Sequence, residues 1–336
     1  MKKIVILDGK TLGNVNYNLL KEFGEFIYQD TTNPEEVKER IQNANIIITN
    51  KVVLNRENLI EAKELELICE TATGYNNIDT IYAKENNIAV TNVAGYSTSA
   101  VAQHTFATLL HLYNKIAYYD NYVKSYEYSD SDSFTNSKVT FNEVEGKRWG
   151  IIGLGAIGRK VAKIADAFGA EVVYYSTSGN NNNPNYKRVE LEELLSSCDI
   201  ISIHAALNED TTGLMNYENL NKMKKTAVLI NMGRGPIVIE EDLARIINED
   251  GIQGAALDVF CSEPISRENP LLAVKNKEKL VLTPHIAWSS IEARNRLFNE
   301  LLENIRSYYK GESRNRIVWF LKNYKLTHNW DNWELS

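Results

Sequence analysis

Three side chains suited to acid–base work on a carboxylate-bearing substrate follow one another in the second half of the 336-residue chain. Arg234 lies in NMGRGP (231–236), directly after the apolar run TAVLI. Glu263 lies in LDVFCSEP (257–264), and His285 follows LVLT through Pro284. An arginine freed by flanking glycines can grip a carboxylate through two parallel hydrogen bonds. Histidine is the side chain suited to exchanging a proton near neutral pH. A carboxylate on its second ring nitrogen fixes its orientation and favours its charged form. Singly, each has a plainer reading: a surface arginine in a glycine turn, a solvated acid or cap, a structural histidine. Together they stand at the ends of three successive strand-like runs. In open α/β sheets, ligands bind at the carboxyl ends of strands.

The run WGIIGLGAIG (149–158) supplies a second chemistry. Gly153, Gly155 and Gly158 form G-x-G-x-x-G between a strand pattern and a helix pattern. The first glycine makes the tight turn, the second admits a pyrophosphate, and the third lets helix and strand pack closely. Ala156 and Ile157 open the helix, whose N-terminus presents N–H groups and partial positive charge to phosphates. The next strand is EVVYY (171–175). Folds selective for NAD usually place an acid at its end, on the ribose 2′-hydroxyl. Here Tyr175 is followed by Ser176, Thr177 and Ser178, with Lys187 and Arg188 further on. The cofactor is therefore NAD(H) or NADP(H), with the preference open because Ser176 replaces the acid.

The elements that must position these residues alternate strand and helix, which predicts mostly parallel sheets. Strands are expected at 4–8, 45–49, 65–70 and 88–93. Helices are expected at 34–43 and 57–63, with Asn33 and Asn55 near their starts as caps. A second series places strands at 149–153, 171–175, 199–203, 226–230, 253–257 and 280–283, enough for a doubly wound dinucleotide domain. Helical stretches at 99–119 and 289–309 flank it. The mid-chain glycine turn then reads as a nucleotide domain, 99–288, inserted into a domain made of 1–98 and 289–318. Residues 120–146 read as a surface excursion and 178–185 as a loop. Residues 319–336, with three of the five tryptophans, read as a tail. His104 and His111 read as packing or capping residues of helix 99–119. His204 follows a strand and can line the cofactor crevice, and His328 falls in the tail.

Composition excludes several classes. Apolar content of 43% and charged content of 24% are ordinary for a globular chain. With 37 Lys and Arg against 44 Asp and Glu, the net charge is −7, which argues against nucleic acid and anionic membranes. Cys69, Cys198 and Cys261 make neither a metal spacing nor a disulfide framework, so no metal and a reducing, cytoplasmic compartment are expected. The chain enters a strand almost at once, leaving no room for a signal peptide, and no apolar run nears 18 residues.

The chain resembles the D-isomer-specific 2-hydroxyacid dehydrogenase family. The matching segments are TATGYNNID (71–79), AGYSTSAVAQHT (94–105), EGKRWGIIGLGAIG (145–158), CDIISIHAALNEDTTGLMN (198–216), NMGRGPIV (231–238), ALDVFCSEP (256–264) and TPHIAW (283–288). The pattern is most similar to the glycerate dehydrogenase, or hydroxypyruvate reductase, branch. The resemblance implies two doubly wound parallel-sheet α/β domains, a Rossmann nucleotide domain inserted into a flavodoxin-like substrate domain, and a homodimer. It implies hydride transfer between NAD(P)H and C2 of a small 2-oxo acid, hydroxypyruvate or glyoxylate, with domain hinging near 98–100 and 286–290. Arg234, Glu263 and His285 match the catalytic positions. Thr73 and Gly74 match backbone donors for the substrate carboxylate, with Asn50 and Lys51 on the substrate-facing loop. Trp288 would sit beside His285 and limit the substrate side chain, or else be a core residue. Asp258 matches the acid on the nicotinamide carboxamide, and Met232 and Gly233 join the cofactor set. Rivals on the same architecture are D-lactate-type, phosphite, formate and phosphoglycerate dehydrogenases. A rival of another class is a non-enzymatic NAD(H)-sensing protein.

Overall fold

A computed structural model describes residues 1–318, so the tryptophan-rich tail lies outside the described residues. The chain forms two compact units, one built from Met1–Tyr96 and the chain from Arg294 onward, the other from Ser97–Ala293.

The first unit carries β1 (Lys2–Ile6), β2 (Gly24–Tyr28), β3 (Ile46–Thr49), β4 (Leu67–Glu70) and β5 (Ala89–Thr91). They form one parallel sheet in the order β2-β1-β3-β4-β5, the flavodoxin-like order. Every residue of β3 and β4 is buried, as expected for central parallel strands covered on both faces, and the edge strand β5 is buried as well. β2 is the strand the sequence pattern misses. It is an edge strand, largely exposed, and lacks the continuous apolar run of its neighbours. It starts at Gly24, where a Cβ would lie 2.0 Å from the Lys2 carbonyl oxygen. Both expected caps form: Asn33 closes a capping box with Glu36, and Asn55 accepts the Asn58 N–H. The helices they start are short, Val37–Ile41 behind a 3₁₀ turn and Arg56–Leu59.

The chain completes this unit on its return. Within the helix Ile291–Tyr309, Arg306 pairs with Glu22 and Asn304 Nδ2 donates to the Asn92 carbonyl at 3.0 Å. Beyond the helix, the Ile317 N–H donates to the Val90 carbonyl at 2.9 Å.

The second unit carries β6 (Arg148–Ile152), β7 (Glu171–Tyr175), β8 (Lys187–Arg188), β9 (Ile200–Ile203), β10 (Val228–Asn231), β11 (Gly254–Leu257) and β12 (Leu280–Leu282). Their order, β12-β11-β10-β9-β6-β7-β8, is the Rossmann order with one added strand, and every pairing is parallel. The order reverses between β6 and β9, so a crevice opens beyond their carboxyl ends. Alternate residues feed opposite core layers, as the two-residue period of a strand requires. Ile151, Ile200 and Val228 pack with residues of the helices Thr98–Asn114 and Ala156–Ala167. Ile152, Ile201 and Leu229 pack on the other side, against the helix Glu240–Asn248 among others. Trp149 is fully buried, and its indole N–H donates to Ser202 Oγ at 2.9 Å.

Two expectations change here. The predicted helix 99–119 breaks at Lys115, whose φ is +52°, into Thr98–Asn114 and Ile116–Lys124. The first piece buries an apolar stripe and the second buries nothing, so no packing holds the two in line. β8 is two charged residues long, too short and too polar to show as a strand pattern.

Candidate active site

The carboxyl ends of β10, β11 and β12 place the three candidate residues. β10 ends at Asn231, fully buried, whose side chain clamps the following turn. Its Oδ1 accepts the Gly233 N–H and its Nδ2 donates to the Arg234 carbonyl, each at 3.0 Å. Arg234 itself is extended, and its Nη1 donates to the Gly233 carbonyl at 2.9 Å. Gly235 is required: a Cβ there would lie 2.0 Å from the Phe260 carbonyl carbon.

Glu263 and His285 are in contact, with Oε2 2.6 Å from Nδ1. Glu263 is itself oriented by the Phe260 N–H, which donates to Oε1 at 3.0 Å. The histidine Nε2 has no protein partner among the described residues. His285 has a left-handed backbone, φ +53°, a conformation that costs a non-glycine residue about 1–3 kcal/mol and persists only when its surroundings impose it.

Asp258 imposes it. This carboxylate, 1% exposed, accepts Thr283 Oγ1–H at 2.6 Å, the Ile286 N–H at 2.9 Å and the Ala287 N–H at 2.8 Å. His104 Nε2 lies 3.0 Å from Thr283 Oγ1, so a helix residue read as packing or capping joins the support of the turn. Trp288 is half-buried against the core layer that holds Trp149.

The glycine turn adjoins the crevice. Gly153 has φ +89°, and a Cβ there would strike Ala205. A Cβ on Gly158 would lie 2.3 Å from the Gly153 carbonyl oxygen. A Cβ on Gly155, just before the helix Ala156–Ala167, would meet nothing within 4 Å. The space over Gly155 and the helix N-terminus beneath it suit a pyrophosphate. His204 follows β9, and its two buried ring nitrogens lack hydrogen-bond partners among the described residues. Burial lowers its pKa to about 3, so the ring is neutral and ready to bond a polar ligand. Met232 is buried, and a Cβ on Gly233 would come within 2.9 Å of the Ala205 carbonyl oxygen. Ser176 is buried with its Oγ accepting the Asn181 N–H at 3.2 Å, and Thr177 follows it. These residues fit a dinucleotide. Among the described residues, no His, Cys, Asp and Glu group could hold a metal ion.

The first unit holds the remaining candidates. Asn50 is buried and Lys51 exposed, and their N–H groups donate to the Asp8 carboxylate at 3.0 Å and 2.7 Å. Asn50 Nδ2 donates to the Thr71 carbonyl at 2.9 Å. Thr73 Oγ1 donates to the Val93 carbonyl, and Asn92 Nδ2 donates to the Thr73 carbonyl, which ties the turn through Gly74 to β5. Asp8 escaped the sequence reading, and the signal was an acid just past a buried strand, as at Asp258. Burial raises its pKa while the N–H groups of residues 50–52 pull it down.

Glu70 also escaped. It ends β4, is 1% exposed, accepts from Asn77 Nδ2 at 3.0 Å through Oε2, and leaves Oε1 without a partner among the described residues. Burial raises its pKa from 4.5 to about 9. The folded chain therefore keeps a proton at neutral pH that the unfolded chain has lost. Stability falls as pH rises from about 4.5 to about 9. Glu70→Gln removes that slope. Its first melting transition lies at least about 2–4 °C above the wild type at pH 8 and matches it at pH 4. Parallel melting curves at both pH values would refute the buried protonated acid.

Comparison with known proteins supplies the family. Residues 106–287 match the D-isomer specific 2-hydroxyacid dehydrogenase, NAD binding domain. The hydroxypyruvate reductase of Blautia hydrogenotrophica is 37% identical over 316 residues, 92% of this chain and 97% of that protein. The glycerate dehydrogenase of Methylorubrum extorquens is 34% identical over 316 residues, 94% of this chain and 98% of that one. Among solved structures, an acyclic imino acid reductase in complex with NADPH and D-Arg superposes with a TM-score of 0.83 at 31% identity, covering 94% of this chain and 100% of that one. A Rossmann sheet with its glycine turn, and a likeness that runs through both units, have one reading: this chain belongs to the D-isomer specific 2-hydroxyacid dehydrogenases.

Proposed function

We propose that the protein reduces small 2-oxo acids to D-2-hydroxy acids, hydroxypyruvate to D-glycerate and glyoxylate to glycolate. The observation that carries this reading is the 2.6 Å contact between His285 Nδ1 and Glu263 Oε2, at the end of a dinucleotide sheet that also presents Arg234. The names of the two relatives support the choice of substrates.

The bound nicotinamide supplies the hydride. The protein does the rest. Arg234 binds the substrate carboxylate and draws electron density onto the 2-oxo oxygen. His285 delivers a proton from Nε2 to that oxygen as charge gathers there. Glu263 holds Nδ1–H, fixes the ring and stabilises its charged form. Asp258 keeps the turn that bears His285 and lends its remaining lone pair to the nicotinamide carboxamide. Gly153, Gly155, Ala156, Ile157 and Gly158 take the pyrophosphate; Ser176 and Thr177 take the adenosine ribose; His204, Met232 and Gly233 line the crevice. The first unit's candidates for the substrate are the backbone donors at Thr73 and Gly74 and the loop of Asn50 and Lys51; in the second unit Trp288 limits the substrate side chain.

Absorbance tests the reading. With hydroxypyruvate or glyoxylate, the protein consumes reduced dinucleotide faster than with pyruvate or with longer 2-oxo acids. Faster turnover of pyruvate would move it to the D-lactate type. No turnover with any 2-oxo acid would favour a cofactor-sensing protein.

The same reading places the enzyme in the cytoplasm as a homodimer. Free thiols at Cys69, Cys198 and Cys261 suit a reducing compartment. Ile116, Val123, Phe134 and Phe141, in the segment after the first long helix, are each exposed and are the apolar side chains there that a second copy would cover. Sedimentation showing monomer at every concentration would refute the dimer.

A further inference from the structure

Residues 176–183, asparagine-rich and acid-free, are a built loop. Tyr174 Oη donates to the Asn181 carbonyl at 3.0 Å and accepts the Asn183 N–H at 2.9 Å. Asn181 Nδ2 donates to the Leu154 carbonyl at 2.8 Å, which pins the loop to the glycine turn. The Gly179 N–H closes a turn onto the Ser176 carbonyl at 3.1 Å. This turn occupies the place where a dinucleotide fold meets the adenosine ribose.

A cation from the neighbouring strand stands against that turn. Arg188, in register with Tyr174, donates from Nη1 to the Gly179 carbonyl at 2.7 Å. Its Nη2 lies 3.9 Å from the point a Cβ on Gly179 would occupy, and it makes no hydrogen bond among the described residues. The adjacent Lys187 is already paired with Glu193 at 3.1 Å. Arg188 is thus anchored by one edge of its fork, with its charge unspent and its other edge open. A rigid guanidinium in that state suits a phosphate far better than a hydroxyl. The acid that would repel a phosphate is replaced by Ser176, flanked by the hydroxyls of Thr177 and Ser178.

We propose that Arg188 is a specificity-determining residue that binds the 2′-phosphate of NADPH against the 176–179 turn, so that the enzyme prefers NADPH to NADH. The proposal rests on the reading of the glycine turn as a dinucleotide site. Calorimetric titration of the full chain with NADPH, NADH and adenosine 2′,5′-bisphosphate tests it without turnover. The wild type binds NADPH at least about tenfold more tightly than NADH, and the gap narrows as salt is raised. Arg188→Ala weakens NADPH and the bisphosphate by about ten- to a hundredfold and moves NADH by less than about twofold. Arg188→Lys falls between, keeping the charge without the fork. Ser176→Asp, which leaves Arg188 in place, reverses the preference. Equal affinity for NADPH and NADH in the wild type, or an equal loss of both in Arg188→Ala, overturns the proposal while leaving the dinucleotide site intact. Failure to bind either dinucleotide overturns the site reading as well.

Discussion

His285→Ala turns over about 10²–10⁴-fold more slowly than the wild type while binding reduced dinucleotide with near wild-type affinity, the loss expected when a general acid is removed. The geometry separates the two quantities. Glu263 holds Nδ1, and Nε2 is the atom left to serve a substrate. The residues of the glycine turn make no use of the ring. The histidine side chain is 24% exposed, so its removal opens no core cavity, and the turn beneath it remains fixed by Asp258. Stopped-flow absorbance for the chemical step, beside a binding titration, reads both. Wild-type turnover in this variant would remove His285 from the reaction. A loss of dinucleotide affinity equal to the loss of rate would recast it as a cofactor residue.

Arg234→Ala raises KM and lowers kcat together, for a loss of about 10²–10⁴-fold in kcat/KM. Two charge-assisted hydrogen bonds to one carboxylate set that scale. The kcat component reports the part of the interaction that strengthens as charge moves onto the 2-oxo oxygen. Its backbone is held independently, because Asn231 clamps Gly233 and the Arg234 carbonyl from below. Truncation therefore removes the guanidinium without releasing the turn. Arg234→Lys recovers little, since an ammonium cannot present two parallel donors. Steady-state kinetics across a range of 2-oxo acids reads this, and parameters within experimental scatter of the wild type would remove Arg234 from the substrate.

Much of the second sheet is legible in the residues because β6, β7 and β9 to β12 are continuous apolar runs bounded by turns. β2 and β8 are hidden by their edge positions, where exposure permits charged and polar residues and blurs the pattern. The break at Lys115 is hidden for the opposite reason. The helical spacing continues through it, and only the absence of anything to pack against ends the first helix. Within the site, strand ends point to Arg234, Glu263 and His285. The contact between the last two depends on how a loop and a left-handed residue aim their side chains, which spacing does not encode. Support from His104 joins residues 179 apart in the chain, and local periodicity is blind to that. Asp8 and Glu70 look like ordinary strand-end acids until burial is known, and burial gives them their roles.

The path of the chain has a consequence for synthesis. A ribosome that has made residues 1–290 has made all five strands of the first sheet and the whole core of the second. It has not made the helix Ile291–Tyr309, which supplies the partners of Glu22 and the Asn92 carbonyl, nor the later segment that bonds to Val90. The second unit, one unbroken stretch from Ser97 to Ala293, is made whole before the first unit receives its closing helix. The part of this protein that leaves the ribosome first is the part completed last.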